Sequence, residues 1–167
     1  VPMLRIIQTS SSHEPFDVPY NRLADERLNA FAFADSCIGN FVSALKASPQ
    51  WKSSLVILLP DHQGCWPIGI SNEDLGHYHI PMIWTGGALA KGGEVDIIGS
   101  QQDLAATLLG QLNINHDDML FSKDMLNPAV PHFAFFTVND LFGMITEDNS
   151  LIFDNKSKRA VMDDGKS

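Results

Sequence analysis

Asp61 and His62 stand side by side at the end of the run Ser54-Leu55-Val56-Ile57-Leu58-Leu59-Pro60. A carboxylate beside an imidazole suits a divalent metal. The imidazole favours zinc or manganese over the harder magnesium and calcium. A bare pair of this kind is more often a helix or turn cap next to a surface histidine, and the wider sequence context reverses that reading. Three further histidines fall beside strand-like runs. His13 lies in the Ser- and Pro-rich loop 10–19, just past the run Met3–Thr9. A lone loop histidine is usually a solvated side chain. His77 and His79 precede the run Ile80–Trp84. In an extended segment they share a face, where they either bind metal or flank the strand as polar residues.

The elements that must position these groups follow from hydropathy patterning. Leu55 to Leu59 form an unbroken apolar run closed by Pro60, which predicts a strand buried on both faces, the pattern of a parallel sheet. Open α/β sheets carry their chemistry at the carboxyl ends of strands, where Asp61 and His62 fall. Met3–Thr9 predicts a first strand. Leu28, Phe31, Ala34, Ile38, Val42 and Leu45 recur at helical spacing and predict a helix over about 21–47, with Asp35 on its surface and Gly39 packed closely on the sheet. This helix is long enough to be the crossover of a parallel pair. Ile80–Trp84 predicts a third strand with Pro81 at its start or at an edge.

The glycine-bearing loop 85–93 lacks phosphate-loop spacing and reads as a connector. Ser100 and Asp103 stand as N-cap and capping-box acid of a second helix running to about Leu112. The runs Phe133–Val138, Gly143–Thr146 and Leu151–Phe153 predict a small antiparallel meander. Lys156–Ser167 is polar and expected to fray. The expected fold class is α/β, a mostly parallel sheet with flanking helices (about 1–126) plus a small antiparallel carboxyl-terminal meander (about 131–155).

Composition narrows the function classes. A chain of 167 residues suits one domain with a core. The formal net charge of −9 argues against nucleic acid, which needs clustered Lys and Arg. No unbroken apolar stretch reaches the roughly 18 residues of a membrane span, and no signal-peptide pattern opens the sequence. Cys37 and Cys65 do not make a disulfide framework and read as small buried side chains. Val1-Pro2 leads straight into a strand-like run without a Met, as expected of a piece of something longer.

Six patches in order resemble one family. Thr9-Ser10-Ser11-Ser12-His13-Glu14-Pro15-Phe16 resembles the Ser-His-x-Pro loop of lipoteichoic-acid synthases and phosphoethanolamine transferases. Phe33 to Phe41 is similar to their Tyr-x-Asp-x-x-(Ile/Leu)-Gly-x-Phe helix. Leu58-Leu59-Pro60-Asp61-His62 resembles the Asp-His-Gly strand end of sulfatases and the alkaline phosphatase superfamily. His79-Ile80-Pro81-Met82 resembles the strand that follows. Gln102-Asp103 through Thr107-Leu108-Leu109 resembles a Gln-x-Asp-x-x-x-Thr-x-Leu helix, and Leu120 to Leu126 a Phe-Gly-x-Asp-Leu turn.

The resemblance implies the carboxyl-terminal part of a sulfatase-like catalytic domain with a partial alkaline-phosphatase-like fold. It implies Asp61 and His62 as ligands of a divalent metal (zinc, manganese, magnesium or calcium, with manganese or zinc favoured). His13 would contact the substrate phosphate or sulfate or a second metal, and His77 or His79 could join it. The implied reaction is hydrolysis or transfer of a sulfate or phosphate ester on a lipid or glycan head group. The Ser-His-x-Pro loop points to the lipoteichoic-acid-synthase-like branch, anchored in the membrane by upstream helices and acting outside the cytoplasm, at the cell membrane or in the periplasm.

Two departures matter. The family's nucleophile lies upstream and has no counterpart here, so the chain alone is expected to hold half a metal site and be inactive. Gln63 stands where the family has Gly. Cys65-Trp66-Pro67-Ile68-Gly69 begins like the Cys-x-Pro-x-Arg sulfatase signature, but Gly69 replaces the Arg and the position is wrong, so it reads as coincidence. The competing expectation is a non-catalytic sulfatase-like module that binds an anionic glycan or lipid head group. A third is an unrelated α/β domain with chance matches.

Overall fold

The computed structural model describes residues 2–64, 66 and 68–165. Cys65 and Pro67, and with them the reading of the cysteine signature, lie outside the described residues. The chain divides into two compact units. The first comprises residues 1–60, 64–69 and 81–92; the second comprises 61–63, 70–80 and 93–167.

The first unit is built on α1 (Glu26–Lys46). Asp25 caps it, its carboxylate accepting from Arg27 N at 2.9 Å. Asn29, almost fully buried, is held on both sides of its amide: Oδ1 accepts from Leu23 N at 2.9 Å, and Nδ2 donates to Leu23 O at 2.8 Å and Asp25 O at 3.0 Å. That closes the chain entering the helix against its first turns. Ala30 and Ala34 are buried, while Phe31, Ile38, Val42 and Leu45 are half-buried on the expected stripe.

Two expectations fail on α1. Gly39 faces open space, so it makes no close approach to a sheet. Cys37 is exposed, because it falls off the apolar stripe. An 18-residue window of the 21-residue α1 has a mean hydropathy of 1.2, so the helix is also long and apolar enough to cross a bilayer by length and composition alone. Reading only unbroken apolar runs missed this, because Ala, Cys and Phe here alternate with Asp35, Ser36 and Asn40.

After a 3-10 turn at Pro49–Ser53 come β1 (Val56–Leu58) and β2 (Ile83–Thr85). They pair antiparallel, Val56 opposite Thr85 and Leu58 opposite Ile83. The parallel sheet expected from the apolar run is therefore not what β1 and β2 form. An apolar run signals burial, not strand direction. Among the described residues the connection 59–82 holds only a 3-10 helix, Leu75–Tyr78, where a parallel return needs a long crossover. All three β1 residues are half-buried, so neither face is sealed. Gly86 follows β2 at φ +138°, and the carbonyl of Ser54 occupies the place a Cβ would take.

Met3–Thr9 is extended but joins no ladder among the described residues, and Met3, Leu4, Ile6 and Ile7 are largely exposed.

In the second unit a 3-10 turn, Gln101–Asp103, leads into α2 (Leu104–Gln111). Strands β3 (Ala134–Val138), β4 (Leu141–Ile145), β5 (Ser150–Asp154) and β6 (Arg159–Asp163) form an antiparallel meander in sequence order. The meander is thus one strand larger than expected. The segment from Lys156, expected to fray, turns back at Lys158 and pairs Asp154 with Arg159 and Ile152 with Met162. Ile152 is fully buried. The Phe136 ring lies over Gly143, where any side chain would collide with it. Tyr78 stacks on that Phe136 ring at 3.5 Å between centroids.

Asp103, buried to 1% exposure, is the polar centre of this unit. It completes the expected capping box with Ser100. Its carboxylate accepts from Ser100 N at 2.8 Å and Lys123 N at 3.1 Å, and it pairs with Lys123 Nζ. Lys123 Nζ also donates to Phe133 O at 2.8 Å and sits 4.0 Å from the centre of the Phe133 ring. Thr107 Oγ1 donates to Asp103 O at 2.7 Å and accepts from Met125 N at 2.9 Å. The Ser100 hydroxyl meets both backbone groups of Phe135, tying the start of the helix to the free edge of β3.

Candidate metal and anion site

Asp61 follows Leu58, the last residue of β1, by three positions. Pro60 ends the ladder by lacking an N–H donor. The Asp61 Oδ1 then accepts from His62 N at 2.9 Å, a tight local turn that holds the carboxylate beside the imidazole. His62 Nδ1 lies 2.8 Å from Gln63 O. A carbonyl only accepts, so Nδ1 is the donor, and in the neutral ring Nε2 presents its lone pair.

Nε2 lies 3.6 Å from Asp61 Oδ2. Two ligands on a tetrahedral ion with bonds of about 2.1 Å stand roughly 3.4 Å apart. The pair therefore fits two adjacent positions around one small divalent ion. Both side chains are open, Asp61 at 82% and His62 at 69% exposure. Among the described residues no group of three or more His, Cys, Asp or Glu is gathered for a metal. The donor set fits a metal and would supply part of its coordination.

Two glutamine side chains, neither singled out from sequence as a site residue, hold this turn within the second unit. Gln101 Nε2 donates to Asp61 O at 2.6 Å. Gln63 Nε2 reaches His79 O at 3.5 Å, while its amide oxygen is buried without a hydrogen-bond partner among the described residues. The available signal was the Gln-x-Asp spacing. Read back from Asp103, its glutamine is Gln101 rather than Gln102.

His79 is thus brought to the turn by its backbone carbonyl, with its ring exposed. His77 packs edge-on against Tyr78 at 5.1 Å. The two do not share a strand face as expected. His77 lies in the 3-10 helix Leu75–Tyr78 and His79 is its C-cap, because Asp74 accepts from Gly76 N and turns the chain. Burial raises the pKa of Tyr78, whose hydroxyl donates to Asn72 O at 2.8 Å.

His13 belongs to the first unit. Its N–H closes a turn on Ser10 O at 3.1 Å, and its Nδ1 faces Glu14 O at 3.0 Å, again leaving Nε2 outward. It lines a shallow hollow with Ser10, Ser11, Glu14, Pro15 and Asp17. Two carboxylates share that hollow, so a bare anion there needs a countercharge.

A model of the sulfatase family matches residues 2–114, about two thirds of the chain. The chain belongs to the sulfatase family. A crystal structure described as a protein in the alkaline phosphatase superfamily, from Vibrio parahaemolyticus, superposes with a TM-score of 0.74 at 23% sequence identity. The match covers 91% of this chain and 41% of that one, and it shows an alkaline-phosphatase-like fold. The chain spans less than half the length of that structure.

Proposed function

We propose that this chain contributes the Asp-His side of a sulfatase-family catalytic site that hydrolyses or transfers a sulfate or phosphate ester. The observation that carries this is the open Asp61–His62 pair, with its ligating atoms 3.6 Å apart and its imidazole proton held away on Gln63 O. Asp61 and His62 would hold a divalent metal, with zinc or manganese favoured. A metal there supplies charge neutralisation for the transferred group and acidifies a hydroxyl nucleophile. His13 would donate to a nonbridging oxygen or hold a second ion, which suits a hollow already lined by Glu14 and Asp17. His77 and His79 would flank the substrate head group.

The nucleophile comes from outside this sequence, so the 167 residues alone turn over no ester. The Ser-His-x-Pro loop supports the lipoteichoic-acid-synthase-like branch over a sulfatase proper. With it come an extracytoplasmic setting at the membrane or in the periplasm and a lipid or glycan head group as substrate. A second reading, a non-catalytic module for an anionic head group, is supported by Gln63 standing where the family has Gly after the Asp-His pair.

Calorimetric titration of the chain with zinc tests the metal assignment. One site is expected, lost in both Asp61→Asn and His62→Ala. Undiminished zinc binding in both variants would sink it. In a longer parent, Asp61→Asn separates the two readings. Loss of ester turnover marks the enzyme; head-group binding unchanged, with no turnover in the unmodified protein either, marks the module.

A further inference from the structure

We propose that Gln101 is a positioning residue for the Asp61–His62 pair, and that it links this pair to the buried Asp103–Lys123 centre. The inference rests on the metal reading above. A two-residue turn with both side chains exposed has little packing of its own to fix it, since Asp61 and His62 are 82% and 69% exposed. The Asp61 backbone is instead reached from far along the chain: Gln101 Nε2 donates to its carbonyl at 2.6 Å across forty residues of sequence.

Gln101 is well placed to act as a fixed arm. Its own backbone lies in the 3-10 turn bracketed by Ser100 and Asp103, whose capping box closes around it. Asp103 is in turn locked by Lys123, by two backbone N–H groups and by the Thr107 hydroxyl on its carbonyl. The rigid centre thus ends in one amide that grips the peptide carrying the carboxylate. Gln63 adds a longer second tether to His79 O on the far side of the turn. Holding the Asp61 carbonyl fixes the backbone from which the carboxylate projects, and the His62 N–H on Oδ1 limits the rotation of the carboxylate itself. Groups that orient metal ligands typically govern affinity by about ten- to a hundredfold.

The test uses the full chain and zinc alone, with Gln101→Met, of similar length but without the donor, and Gln101→Glu, which cannot donate. Two readouts are taken: the zinc dissociation constant by calorimetry, and the His62 ring nitrogen shifts by NMR without metal. Thermal unfolding by circular dichroism monitors the fold. The expected result is a dissociation constant at least about tenfold higher in both variants, with shifted His62 ring signals and an unchanged melting curve. Unchanged affinity and unchanged His62 signals in a folded variant would overturn the proposal. So would loss of the fold in both variants, which would make Gln101 a structural residue. If Asp61→Asn leaves zinc binding intact, the metal reading itself has failed; if Asp61→Asn abolishes binding and Gln101→Met does not weaken it, only the inference has.

Discussion

At the scale of single residues, function and folding use the same side-chain types differently. Asp61 is open, with its carboxylate 82% exposed, whereas Asp25 is engaged by Arg27 through Nε at 2.9 Å, Nη2 at 2.5 Å and its backbone N–H at 2.9 Å. These hydrogen bonds, the side-chain pair first, lower the Asp25 pKa from 3.8 to about 2. A carboxylate whose pKa falls on folding stabilises the fold above its unfolded value and loses that contribution as pH drops through the folded one. The start of α1 should therefore loosen between about pH 4 and pH 2. Amide exchange at Arg27 and Leu28 should accelerate over that window, and Asp25→Asn should remove the step. An unchanged acid step in the variant would assign it to other groups. Arg27 also lies 5.4 Å from the Trp66 ring, so Asp25 steadies an arginine that has a second contact.

At the scale of elements, the second unit depends on a buried ion pair at the mouth of α2. Removing one member of such a pair costs about 3–5 kcal/mol, because the other is left buried and uncompensated. Asp103→Leu should reach the upper part of that range, since it also orphans the N–H groups of Ser100 and Lys123. Lys123→Met should cost less, because those two donors still serve the carboxylate. Urea unfolding of both variants, followed by far-UV circular dichroism, checks the order. Equal losses would mean that the backbone donors contribute nothing.

The elements also divide what was legible in sequence from what was not. The period of α1, the capping box and three strands of the meander were readable because each is encoded locally. The parallel sheet was not found in β1 and β2, because an apolar run such as Leu55–Leu59 specifies burial without naming its neighbour. β6 was missed because Arg159 and Lys158 look like a solvated tail until Asp154 pairs with them. The Asp61–His62 pair was legible as adjacent donors at a strand end. Its supports were not: Gln101 is forty positions away, and nothing in a glutamine's identity says which carbonyl it will grip. The pairing of His77 with His79 failed because Asp74 bends the backbone into a 3-10 turn before either histidine is reached.

For the whole molecule, family membership and an alkaline-phosphatase-like fold rest on two thirds and nine tenths of the chain respectively. The division into two units has a spectroscopic corollary. Trp51, Trp66 and Trp84 are the three tryptophans of the sequence, and all fall within the first unit. Indole emission therefore watches that unit alone, while the β-rich second unit is visible to circular dichroism and contains Tyr78 but no indole. In a denaturant titration monitored both ways, coincident transitions would establish one cooperative molecule. Separated midpoints would give each unit its own free energy of unfolding, and the Asp103→Leu lesion would then move the dichroism and leave the emission where it was.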